Sequence, residues 1–439
     1  MKAMAAPVPG MRRKAWIPFV FALAPINLIL SVDRNAFVMV SSVIQREYGF
    51  DLERMSYILA SISWTYAIFQ LPSGWLIQRF GFRRLLAIAL VGWSLAIGLM
   101  PIASGFWSLL ALRLLLGAAQ APDWPSSVAA ISRWFPPERR SRFTSIALSG
   151  QYIGPVIGSI VTGGLAFRYG WRPVFYGYAI IGVGLCGIWW WLTRDQTAAT
   201  AASAQQERDP AGVWPELRAL LAIRATWVIS SFYFCLISVQ AFFLSWLPIY
   251  LTRERSVTLT ASGWYTAMPW LTLYVSVTAY GFYADSVLRK GGSLRLARLP
   301  AAVLGLSMGA ISLALVPWIA DLRLVIVTLC FSLFGVGMVQ GVVWSTVQDM
   351  GGSRTPLLAG WTSFWGNLSA GIFPIVMGYL VKWTGDWKYA LFAPVVFSAL
   401  GVVLAFLVPF PITPRKAGGP ELGSVELEPA SQAGAVSDR

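Results

Sequence analysis

GWLIQRFGFRR at residues 74–84 and GFYADSVLRKG at 281–291 are the two stretches on which the fold turns, because they follow one pattern 207 residues apart. Each comes after an apolar run, opens on a glycine and closes on a basic cluster. Glycine lets two membrane helices approach, while arginine and lysine stay on the cytoplasmic face. Gly74, Gln78, Arg79, Gly81 and Arg83 in the first stretch, and Gly281, Asp285 and Arg289 in the second, are therefore expected in two tight, gating cytoplasmic turns. One such loop is ordinary decoration of a membrane protein. Two in matching places indicate a repeat.

Outward from these turns, apolar runs of about 20 residues recur along the chain, each long enough to cross a bilayer as a helix. They lie near 15–44, 57–77, 85–104, 106–135, 143–167 and 174–193, then 228–252, 259–280, 297–319, 322–347, 356–381 and 389–410. The pattern predicts an all-α membrane protein with twelve transmembrane helices in two six-helix bundles, 15–193 and 228–410. A polar linker at 194–227, with the low-complexity run TAATAASAQQERDPAG, joins them flexibly. The tail at 411–439 has too few large apolar residues to bury a core. A short polar tail, 1–14, precedes the first span. That span is too long for a signal-peptide core and is expected to remain as a helix.

Composition agrees with the spans. Of 439 residues, 56% are hydrophobic and 12% charged, about half the charged share of a soluble domain. The net charge of +15 would raise nucleic-acid binding if it were spread over a soluble surface. Instead, 23 Lys and Arg fall in the tails or at every second loop, 9 at the opposite loops, and two, Arg34 and Arg113, inside spans. This bias places both termini in the cytoplasm and makes the bilayer, not nucleic acid, the partner. Cys186, Cys235 and Cys330 all lie in apolar runs, and the chain has neither histidine nor a CxxC motif. No metal site, cofactor or catalytic triad is expected, and no enzyme.

Charge inside the membrane marks a substrate or ion path, and four residues qualify: Asp33, Arg34, Arg113 and Asp123. Arg113, Gln120 and Trp124 fall within about 40° of one helix face at 100° per residue, so they could line one wall. Pro122 and Pro125 free the carbonyls of Ala118 and Ala121 there. Arg113 can grip a carboxylate with its guanidinium fork or pair structurally with Asp33 or Asp123. Asp33 and Arg34 are adjacent, about 100° apart on a helix, and cannot point at one spot. Gly150, Gly154 and Pro155 let a helix pack tightly. Gln151 beside them and Asn367 are amides that either donate to a polar solute or bind helices together. A few of the 22 tryptophans, among Trp64, Trp246, Trp344, Trp361 and Trp365, could stack an aromatic acid.

At Asp33-Arg34, Tyr66 with QLPSGWLIQRFGFRR, RLLLGAAQAPDWP (113–125), RWFPPERRSR (133–142), GQYIGP (150–155), WLPIYL (246–251) and WGNLSAGIFPIVMG (365–378), the chain resembles the major facilitator superfamily. More narrowly it resembles the anion:cation symporters, which include sugar-acid and aromatic-acid carriers and the sialic-acid transporter. The resemblance covers roughly residues 15–410. It implies the major facilitator fold, Arg113 in the anion site, Asp33 as a proton-carrying carboxylate with Arg34 tuning it, and a Tyr66 hydroxyl offered to substrate.

Three positions depart from the family. Gln78 replaces an acid, which implies a weaker ionic latch at that turn. Ser31 replaces a tyrosine, which implies a larger site and a substrate other than a sugar acid. Gln120 replaces a titrating glutamate, leaving Asp123 as the acid able to take over. The expectation is a monomeric carrier in the bacterial cytoplasmic membrane that moves a small organic anion, such as a sugar acid or aromatic acid, in symport with protons. A carboxylate facilitator or exchanger, favoured by Gln120, is the alternative, and a transporter-like sensor is a third.

Overall fold

The computed structural model describes residues 16–135, 137–194, 213–351 and 355–408. The tails, residues 195–212 of the linker and part of the RWFPPERRSR stretch lie outside the described residues. Among the described residues the order is α1 (Trp16–Glu47), α2 (Leu52–Phe80), α3 (Phe82–Ile102), α4 (Phe106–Gln120), α5 (Asp123–Trp134), α6 (Pro137–Tyr169) and α7 (Trp171–Leu192). Then come α8 (Val213–Leu221), α9 (Arg224–Arg253), α10 (Leu259–Arg289), α11 (Leu294–Trp318), α12 (Leu322–Gly351), α13 (Thr355–Thr384) and α14 (Trp387–Leu407).

Twelve helical segments thus follow the expected order, with α4 and α5 sharing the fourth. Among the described residues nine helices are long and apolar enough to cross a membrane: α1, α3, α6, α7, α9 and α11 to α14. The other three segments miss on physical grounds. The fourth is broken at Ala121–Pro122, where proline has no N–H for the helical ladder. α2 and α10 are rich in Ser, Thr and Tyr, and both pack against the opposite half.

Local signals repeat between the halves. Asp51 caps α2 by accepting from the Arg54 N–H at 2.8 Å, and Thr258, 207 residues on, caps α10 through Ala261. Packing repeats too. α1 lies on α6, α2 on α4 and α3 on α7, and in the second half α9 lies on α13, α10 on α12 and α11 on α14. The two halves meet where α2 packs on α13 and α6 on α10.

The structure corrects several expectations. The stretches at 74–84 and 281–291 are mostly helix. Gly74, Gln78 and Arg79 belong to α2, Gln78 being described by its backbone only, and Gly281, Asp285 and Arg289 belong to α10. The reversal in the first half is made by Gly81 alone, whose φ of 76° suits a residue without Cβ, and in the second by the residues after Arg289. A Cβ at Gly74 or Gly281 would meet open space in this conformation. Asp285 and Arg289 are exposed. Arg83 is buried, bonded through Nε to the Thr193 hydroxyl (3.0 Å) and through Nη2 to the Trp190 carbonyl (2.8 Å), so it ties α3 to the end of α7. Part of the expected linker is the helix α8, and the seventh span starts earlier than expected, at Arg224.

The glycines of α6 do pack as expected. A Cβ on Gly154 would run into Ser31 Cβ, and one on Gly150 would lie 3.2 Å from the Leu28 nitrogen. Ser31 therefore belongs to the α1–α6 seam, where a tyrosine would collide with α6. Its small side chain does not enlarge a substrate site. Cys235 is buried, and Cys186 and Cys330 are half-buried in their helices.

Candidate functional site

α1 delivers Asp33 and Arg34 to different neighbourhoods. The Arg34 Nε donates to Gln120 Oε1 at 2.7 Å, and the guanidinium lies 4.2 Å from the centre of the Tyr66 ring on α2. Its Nη2 is buried without a protein acceptor. Arg113 on α4, 1% exposed, donates from Nε to the Ile58 carbonyl at 3.3 Å and lies 4.4 Å from the Phe37 ring centre. Its Nη1 likewise has no protein acceptor. The two cations are within electrostatic reach of each other. Two guanidiniums, Arg113 buried and Arg34 half-buried, each stacked on an aromatic face and each holding an unmatched buried N–H, thus share one region. Aromatic stacking tolerates a buried cation but leaves the in-plane donors unused. Each unmatched donor costs about 1–3 kcal/mol until something accepts from it.

Acids stand close but do not neutralise these donors by contact. Asp123, the first residue of α5, is 1% exposed with Oδ1 unpaired, and it interacts electrostatically with Arg34 and Tyr66. The break at Ala121–Pro122 is what lets Gln120 and Asp123 both turn inward. Asp33, 2% exposed, has neither carboxylate oxygen bonded and interacts with Tyr178 of α7, whose hydroxyl shares a 2.8 Å hydrogen bond with Thr162. Arg113 forms no ion pair with Asp33 or Asp123.

Of the residues singled out in the sequence, Arg34, Gln120, Tyr66, Asp123 and Arg113 are therefore brought together, while Asp33 faces α7. Gln151 is half-buried without a side-chain hydrogen bond to protein. The Asn367 amide donates to the Ser363 carbonyl of its own helix at 2.9 Å, which ties up that donor. Trp124 is half-buried. Among the described residues no three Asp, Glu or Cys side chains gather to hold a metal ion.

The facing wall comes from the second half; of its residues the sequence singled out Trp344 but not Gln240, Gln340 or Tyr233. The Gln340 Nε2 on α12 donates to Gln240 Oε1 on α9 at 3.1 Å, and the Trp344 indole donates to Gln340 Oε1 at 3.1 Å. Trp344 packs edge-on against Tyr233, with ring centres 5.4 Å apart. Tyr233 is within electrostatic reach of Tyr66 and Tyr152 in the first half. This wall has amides, indole and phenol groups but no buried charge. Besides Trp344, its sequence signal is a pair of glutamines inside apolar runs, 100 residues apart.

The two halves close on each other at the end that carries the α1–α2, α9–α10 and α13–α14 connections, the upper end below. There Tyr379 donates to Glu53 at 2.6 Å, Lys382 pairs with Glu53, the Tyr57 and Tyr379 hydroxyls share a 3.1 Å bond, and the Trp64 indole donates to the Gly371 carbonyl at 3.2 Å. From Met55 to Ala67 no residue of α2 is exposed, whereas Ile68, Phe69, Pro72, Gly74, Arg79 and Phe80 are. The seam is tight above the site and loosens below it.

Comparison with known proteins bears on what such a site takes. The family model described as Major Facilitator Superfamily matches residues 23–374. The chain is 27% identical over 414 residues to a probable galactarate/D-glucarate transporter of Bacillus subtilis (strain 168), covering 89% of this chain and 90% of that one. It is 29% identical over 416 residues to the D-galactonate transporter of Escherichia coli O6:H1, with 90% and 94% covered. It is 26% identical over 402 residues to the hexuronate transporter of Bacillus subtilis (strain 168), with 90% and 95% covered. Among solved structures, a bacterial homolog of the human lysosomal transporter Spinster, inward-facing and unoccupied, superposes with a TM-score of 0.75 at 16% identity, covering 91% of this chain and 97% of that one.

Proposed function

The chain belongs to the Major Facilitator Superfamily, and from that premise we propose that this multi-pass membrane protein carries a sugar acid across the bacterial cytoplasmic membrane, coupled to protons. The observation that carries the reading is the pair of guanidiniums, Arg113 and Arg34, each with a buried N–H that no protein group accepts. A carboxylate supplies the acceptors that both lack, and a charge-assisted bond of this kind is stronger than a neutral one. The opposite wall of Gln240, Gln340, Tyr233 and Trp344 suits the hydroxyl groups of a sugar acid, since amide and phenol groups both donate and accept. The relatives named for galactarate, glucarate, galactonate and hexuronate favour this class over an aromatic acid.

In this reading the chain forms two bundles, 15–193 and 228–410, acts as a monomer and keeps both termini in the cytoplasm. The upper end then faces outward, and its closure corresponds to the inward-facing stage of alternating access. Asp33 carries the proton and Asp123 modulates it through Arg34, because Gln120 has no proton to exchange. That amide also favours a second reading, a carboxylate exchanger without proton coupling.

Counterflow in proteoliposomes tests both. Galactarate, D-glucarate, D-galactonate, a hexuronate and an aromatic acid are presented in turn, with and without an inward pH gradient. Exchange of sugar acids with gradient-driven accumulation is the expected result. Exchange without accumulation replaces symport by the second reading, and no exchange of any sugar acid overturns the substrate class.

A further inference from the structure

Helix α2 begins at the upper end with an acidic pair, Asp51 and Glu53, and α13 finishes there with Tyr379 and Lys382. Side-chain chemistry along the seam runs in register. Glu53 takes the Lys382 ammonium on one oxygen and the Tyr379 hydroxyl on the other, while Asp51 stands 4.0 Å from Lys382. One turn below, Tyr57 meets Tyr379. Deeper still, small residues let the helices touch. Gly378 lies against Ser56 and Gly371 against the Trp64 indole, whose N–H is taken by the Gly371 carbonyl.

We propose that Glu53, Tyr379 and Lys382 form a proton-sensitive latch which holds the outer end of the carrier shut and releases when the outside turns acidic, a device distinct from the coupling carboxylates in the core. Glu53 alone receives both donors from the other half, so its charge state decides whether those two bonds exist. Protonated, the carboxyl loses its attraction for the Lys382 ammonium and becomes a donor that competes with the Tyr379 hydroxyl. The Lys382 bond first, and the Tyr379 bond second, hold Glu53 below its ordinary value of 4.5, with Arg54 adding a smaller pull in the same direction. The sign follows. A carboxyl whose value is lower in the closed form favours closure fully above about 4.5 and progressively less as pH falls through the lower, latched value. The groups facing it are Asp51, Arg54 and Tyr57 from α2, and Tyr379 and Lys382 from α13. Glu53 and Lys382 have side chains 28% and 42% exposed, so outside protons reach the latch directly.

The assignment of this end to the outside rests on the carrier reading. The latch itself is tested without substrate. Cysteines are placed at Ser104, in the α3–α4 connection, and Ala320, in the α11–α12 connection, with Cys186, Cys235 and Cys330 replaced by alanine. Spin-label distances are then measured on the full chain in nanodiscs at pH 7.5 and pH 4. A short distance at pH 7.5 and a growing long component at pH 4 are expected. Glu53→Gln should raise the ratio of open to closed already at pH 7.5, by roughly two- to fivefold, the range that an exposed ion pair carries. It should also remove the further response to acid. Lys382→Met should give the same opening by an independent route. An unchanged distribution in both variants, or an acid response that survives in Glu53→Gln, overturns the latch. Because distances and counterflow are separate readings, a protein that opens as described yet exchanges no anion would sink the carrier reading and leave the latch standing.

Discussion

The two walls of the central site are built from the same repeat and have come to opposite chemistry. An offset of 207 residues that superposes Leu52 on Leu259, the first residues of α2 and α10, also superposes Asp33 on Gln240. In the first half the inner positions hold Asp33, Arg34, Arg113 and Asp123, all buried or half-buried, with several polar atoms unmatched. In the second half the corresponding wall holds glutamines and aromatic rings that satisfy one another. The only arginine described as buried in that half, Arg298, is turned to Asp349 at 2.5 Å, near the end of α12. A charged wall with spare donors and a neutral wall with matched ones divide the labour. In the proposed function the first would grip the anion and handle protons, and the second would read the uncharged remainder of the solute.

The sharpest way to break this division is Arg113→Lys, which keeps the charge but loses the fork. Removing a charge-assisted bond costs about 1.5–3 kcal/mol, so affinity should fall roughly ten- to a hundredfold. Substrate binding by the purified, folded variant measures this, and wild-type affinity would return Arg113 to a structural role. Gln120→Glu probes the same wall in the opposite direction. A carboxylate placed where an amide oxygen lies 2.7 Å from Arg34 Nε would compete with the substrate for that guanidinium. An apparent affinity about tenfold weaker at neutral pH is expected, from the gap between charged and neutral hydrogen bonds. It should recover as pH falls and the glutamate takes a proton, which a pH series of binding curves would show. Gln340→Leu on the neutral wall should do least, about threefold in affinity, as befits one neutral hydrogen bond. Its larger signature should be a changed ranking among sugar acids that differ in hydroxyl configuration. If Gln340→Leu matched Arg113→Lys in size, the division between walls would be wrong.

Much of this was legible in the chain. Apolar run length locates the helical segments because a bilayer imposes one length on all of them. Three of the four intramembrane charges, Arg34, Arg113 and Asp123, mark the first wall because burial makes charge rare. What stayed hidden depends on partners far apart in sequence. Gln240 and Gln340 meet across two helices, and nothing local to either says so. Glu53 and Lys382 look like ordinary loop-edge charges until α2 and α13 are laid side by side. The two glycine-led stretches gave the repeat correctly but not its geometry, because Gly74 and Gly281 sit in helices whose surroundings leave room. Ser31 was misread for a related reason, since a missing tyrosine suggests space in a site when the residue in fact faces the glycine of a neighbouring helix. The π turns at Phe19–Leu23 in α1 and Phe242–Trp246 in α9 have no sequence mark that periodicity would expose.

Where α6 crosses α10, the contact is backbone on backbone. A Cβ on Gly163 would lie 3.2 Å from the Gly263 Cα, and one on Gly263 would lie 2.6 Å from the Ser159 carbonyl oxygen. At Gly163 and Gly263 the helices approach without a side chain between them. The α2–α13 seam is the reverse, held by bonds that must break before it parts. In mechanical terms the crossing would serve as a door's hinge pin and the seam as its catch.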